Sequence, residues 1–68
     1  MAKTLQQLPP HPVRALLPPL EVLGAMGLER ASLLHGTGIS ERQLDDSGAR
    51  MSLQQELTFY RNVLERTG

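Results

Sequence analysis

The chain has 68 residues, with seven Lys+Arg against seven Asp+Glu, two histidines and no cysteine. That length permits one small domain, whose single core supplies only roughly 3–5 kcal/mol. Disulfides are excluded, and two histidines far apart in sequence leave no zinc-ligand pattern.

Met1 to Pro12 reads as an irregular N-terminal arm, because Pro9, Pro10 and Pro12 each fix φ and restrict the residue before them. A strand-like segment docked on another surface is the alternative for the same stretch. From Val13 onward the apolar residues Val13, Leu16, Leu20, Leu23 and then Gly27 recur at helical spacing. The Pro18-Pro19 pair is tolerated only in a first turn, so a helix is expected from about Pro18 to Met26, with Gly27 as its left-handed cap. Val13 to Leu17 adds a short turn ahead of it. Val22 and Met26 fall on the side opposite Leu20 and Leu23, giving a helix that is apolar nearly all round. The stretch Val13–Leu28 is interrupted by Arg14, Pro18, Pro19, Glu21 and Gly24, so it does not read as a membrane span. The N-terminus lacks the apolar run of a signal peptide, which leaves the cytoplasm as the expected compartment.

A short helix is expected from Arg30 to about His35, with Leu33 and Leu34 inward and Gly36 and Gly38 at its exit. Ser40-Glu41-Arg42-Gln43 has the form of a capping box and opens another short helix ending near Asp45 or Asp46. Asp46-Ser47-Gly48 is a turn, and Ala49-Arg50-Met51 is a short extended bridge. Ser52-Leu53-Gln54-Gln55 is a second capping box, starting the longest helix, Leu53 to about Arg66. Leu53, Leu57, Tyr60 and Leu64, widened by Val63, are expected to form its inner stripe, with Phe59 off that stripe. The fold class is therefore all-α in the main: a small bundle of about four helices with one extended bridge near Ala49-Met51.

Few residues invite chemistry. Asp45-Asp46 is the one adjacent carboxylate pair, but neighbours on a helix point in different directions and make a poor acid/base couple. His35 sits at a helix C-terminus, where a capping or surface role suits it. Ser32, Ser40, Ser47 and Ser52 have no histidine base nearby in sequence, and Ser40 and Ser52 are explained as caps. Gly36 and Gly38 lack the preceding strand and following lysine of a phosphate loop. No catalytic, cofactor-binding or metal-binding residue is assigned, and the chain is not expected to be an enzyme.

Gly38-Ile39-Ser40 between two short helices imitates a helix-turn-helix, whose second helix enters the major groove. Here that helix carries Glu41, Asp45 and Asp46 against Arg42 alone, and three carboxylates facing phosphates are repelled. The balanced charge of the whole chain points the same way, since a free-standing nucleic-acid binder draws affinity from a basic excess.

The run Leu20-Glu21-Val22-Leu23-Gly24-Ala25-Met26-Gly27-Leu28-Glu29-Arg30-Ala31-Ser32-Leu33-Leu34-His35-Gly36-Thr37-Gly38-Ile39-Ser40 resembles the opening of the N-terminal domain of one branch of AraC-type bacterial regulators. The likeness continues through Leu44-Asp45-Asp46 and Ala49-Arg50-Met51-Ser52 before a long helix, and covers roughly Val13 to Gly68. It rests on apolar spacing and glycines. Pro18-Pro19 is an unusual opening for the first helix, and Glu29-Arg30 stands where an Asp-Pro start is commoner.

The resemblance implies a transcription regulator whose N-terminal domain senses a small effector or mediates self-association. DNA is bound in that family by a C-terminal domain with two helix-turn-helix motifs, which this sequence does not contain. On this basis residues 13–68 are expected to be the N-terminal helical part of a sensing domain, an incomplete unit of a larger α+β regulator. The rest of the regulator chain and a homodimer partner are the implied partners, and no effector-binding residue is carried over. A free-standing helical adapter that binds another protein is the alternative. Both readings rest on apolar surface, at Val22, Met26 and Phe59, beyond what these helices are expected to hide among themselves.

Overall fold

The computed structural model describes residues 10–68. The arm expected for the first residues lies outside that range, except at its end. There His11–Pro12 forms a short strand, β1. The chain continues through a 3-10 turn at Val13–Leu16 into helix α1, Leu17–Ala25, then α2, Arg30–Leu34, and α3, Glu41–Leu44. A second strand, β2, at Arg50–Met51 precedes the long helix α4, Leu53–Thr67. Among the described residues the architecture is mainly helical, with four α-helices and one antiparallel two-stranded ladder.

The ladder corrects the expectation of an irregular segment through Pro12. His11 lies opposite Met51 and Pro12 opposite Arg50, and the Val13 N–H donates to the Ala49 carbonyl at 3.0 Å. Pro12 has no N–H to offer, so it suits a strand of this kind, which lies at the edge of any sheet. Two residues cannot hold a ladder by hydrogen bonding alone. Val13 and Met51, both buried in the core, hold the two strands in place from the side.

Helix α1 begins at Leu17 with Pro18 and Pro19 in its first turn, where backbone N–H groups have no intrahelical acceptor to lose. It ends in a Schellman motif. The Leu28 N–H donates to the Leu23 carbonyl and the Gly27 N–H to the Gly24 carbonyl, both at 3.0 Å, with Gly27 at φ +94°. Leu28 is thereby turned back to pack against the core that Leu23 enters. The spacing read from Val13 to Leu23 survives the junction between 3-10 turn and α-helix: Val13, Leu16, Leu20 and Leu23 are all buried.

Helix α2 stops at Leu34, one residue before the expected His35, whose backbone is extended. Gly36 and Gly38 both take positive φ, near +76° and +75°, which lets the chain reverse within a few residues. Thr37 between them is buried and fully used. Its hydroxyl donates to the Leu34 carbonyl at 2.6 Å and accepts from the Ile39 N–H at 3.0 Å.

Both expected capping boxes form. At α3 the Ser40 N–H donates to Gln43 Oε1 at 2.9 Å. At α4 the exchange is reciprocal: the Gln55 N–H donates to Ser52 Oγ at 3.1 Å, and the Ser52 N–H to Gln55 Oε1 at 2.8 Å. Between these helices Asp46 Oδ1 accepts from the Gly48 N–H at 2.8 Å, closing the turn that delivers β2.

The core comprises Val13, Leu16, Leu20, Leu23, Leu33, Leu34, Ile39, Leu44, Met51 and Phe59, with Leu17, Leu28, Ala49 and Val63 packed around it. Helix α4 lies against α2 and β2, while α1 and α3 pack on the 3-10 turn.

Candidate interaction face

The long helix does not dock on the face its apolar spacing suggests. Phe59, expected off the inner stripe, is fully buried at 0% exposure, whereas Leu57, Tyr60 and Leu64 are 56%, 42% and 70% exposed. Leu53 is half-buried. Val63 packs on the core as expected, and Gln55, Phe59 and Asn62 complete the inward side. At 3.6 residues per turn, that side is about 150° from the line of Leu53, Leu57, Tyr60 and Leu64.

Two kinds of contact hold this face inward: burial of Phe59 and hydrogen bonding at the exit of α2. The last carbonyls of any helix lack intrahelical donors, and buried ones must find a partner. Here the Asn62 side-chain amide donates to the Leu33 carbonyl at 2.8 Å and to the His35 carbonyl at 2.7 Å. About two turns earlier, Gln55 Nε2 donates to the Thr37 carbonyl at 3.1 Å. Phe59 sits between these two amides along the helix, filling the core, and meets Tyr60 edge-on at a centroid distance of 5.0 Å. Gln55 thus works twice, capping α4 with its oxygen and holding the α2–α3 connection with its nitrogen.

Apolar counting missed this face because two of its positions are amides. The signal was nonetheless present: Gln55, Phe59 and Asn62 are spaced four and three apart, on one face of a helix. They lie in a chain whose His35-Gly36-Thr37-Gly38 exit leaves carbonyls needing donors.

Docking by the amide face leaves Leu57, Tyr60 and Leu64 outward, with Leu53 at their N-terminal end. Their spacing of four, three and four is that of a narrow helix-binding seam. From Leu53 to Leu64 it runs about 16 Å at 1.5 Å per residue. Val22 on α1 and Met26 at its C-cap, one turn apart, are 62% and 65% exposed, as their position opposite Leu20 and Leu23 implies.

The residues considered for chemistry lie apart from this seam. His35 is exposed beyond the end of α2. His11 Nδ1 is 2.8 Å from Glu56 Oε1, tying β1 to the first turn of α4 at the surface. Ser40, Arg42, Gln43, Asp45 and Asp46 line an open groove beside α3. Ser52 Oγ is spent as a cap, Ser40 stands at the N-cap of α3, and Asp46 closes its own turn. Among the described residues, no three His, Asp or Glu side chains gather as a metal site would require. Likewise, no described helix is long and apolar enough to cross a membrane. Helix α3, the would-be recognition helix, has four residues, about 6 Å of helix, with Glu41, Asp45 and Asp46 all exposed at or beside it.

Comparison with protein-family models, with curated proteins and with solved structures finds no match for this chain.

Proposed function

We propose that residues 13–68 are the N-terminal helical part of the sensing domain of an AraC-type transcription regulator, acting in the cytoplasm without catalysis. In this reading they contribute to effector sensing or self-association, and DNA is bound by a separate C-terminal domain. The observation that carries the proposal is the outward seam of Leu57, Tyr60 and Leu64, together with Val22 on α1 and Met26 at its end. Isolated exposed apolar residues are ordinary on any protein. A seam at helix-pairing spacing on the longest helix is the kind of surface that presses against further polypeptide, whether the rest of a sensing domain or a homodimer partner.

The resemblance supports the same reading through the skeleton of the fold. Gly27 and Gly38, which precede Leu28-Glu29 and Ile39 in the run that carries the likeness, occupy positive-φ positions. Leu33 and Leu34, its paired leucines, both enter the core.

The test is the genomic DNA immediately after the Gly68 codon. The proposal expects a reading frame there that continues a sensing domain and then encodes two helix-turn-helix motifs. A frame that encodes neither removes it.

A second reading, a free-standing adapter that binds a helix of another protein, is favoured by the four-three-four spacing of the same seam. Sedimentation of the chain, with circular dichroism to establish that it is folded, addresses this reading. A folded, strictly monomeric chain with no partner recovered by affinity capture counts against the adapter.

A further inference from the structure

We draw no further inference here: the strongest candidate, the outward seam of Leu53, Leu57, Tyr60 and Leu64 along α4, belongs to the face already described, and nothing in the structure shows whether a further segment, a second copy or another protein covers it.

Discussion

Replacing Asn62 tests the central structural claim, that the long helix docks by its Gln55, Phe59 and Asn62 face and not by its leucine seam. Asn62→Ala deletes the two hydrogen bonds to the Leu33 and His35 carbonyls. A net hydrogen bond contributes about 0.5–1.5 kcal/mol, and a buried acceptor left alone costs more than one that water can reach. The Leu33 bond is partly buried and the His35 bond exposed, so water recovers much of the second and little of the first. The expected loss is therefore about 1–2 kcal/mol, a large share of what a core of this size supplies. With a urea slope of about 1 kcal/mol/M for a small domain, the midpoint should fall by about 1–2 M.

Asn62→Asp should be worse near neutral pH, because an ionised carboxylate offers those carbonyls no donor and faces the negative end of α2. Carbonyl oxygens beside the introduced carboxyl favour its protonated form, so its pKa is expected to be higher in the folded chain than in the unfolded one. A raised folded pKa means that the protonated form is the one the fold accommodates. The variant's stability is therefore greatest below the unfolded pKa and is lost as pH rises through the folded one. Urea titrations of Asn62→Asp at pH 4 and pH 7, followed by circular dichroism, should show the lower midpoint at pH 7, after subtracting the same pair for the unsubstituted chain. Leu57→Ala, on the outward face, should change the midpoint little, within about 0.5 kcal/mol. Should Leu57→Ala cost 2 kcal/mol or more while Asn62→Ala costs nothing, α4 docks by the other face and the reasoning is wrong.

Phe59 is the largest fully buried side chain. Phe59→Ala should cost about 3–5 kcal/mol, enough to abolish helical circular dichroism at 25 °C, while Phe59→Leu should leave a weakened but measurable transition. Two glycines separate space from backbone conformation. Gly24 lies within α1 with open space around its Cβ position, so Gly24→Ala should stabilise by about 0.5–1 kcal/mol. Gly27 has equally open space but φ +94°, so Gly27→Ala should destabilise by about 1–2 kcal/mol; thermal melts of the pair should move in opposite directions. Ser52→Ala removes the oxygen that accepts from the Gln55 N–H and should cost about 1 kcal/mol in the same melts.

Local chemistry was legible in the sequence because each signal depends on a few neighbouring residues. The capping boxes at Ser40 and Ser52, the turn at Asp46-Ser47-Gly48 and the punctuation at Gly27, Gly36 and Gly38 all appear where side-chain and φ requirements place them. The Val13, Leu16, Leu20 and Leu23 stripe was equally readable, since every member is apolar and hydrophobic periodicity registers only apolar residues. Two features needed the tertiary structure. The extended bridge near Ala49-Met51 was readable, but its pairing with His11–Pro12 joins segments distant in sequence, and nothing local names the partner. The rotation of α4 depends on partners elsewhere in the chain. Phe59 fills the core, and the carbonyls of Leu33, His35 and Thr37 accept from Asn62 and Gln55 on the same face. A helix carrying two plausible faces is oriented by the core space and the hydrogen-bond acceptors its neighbours present, and the sequence of the helix alone contains neither.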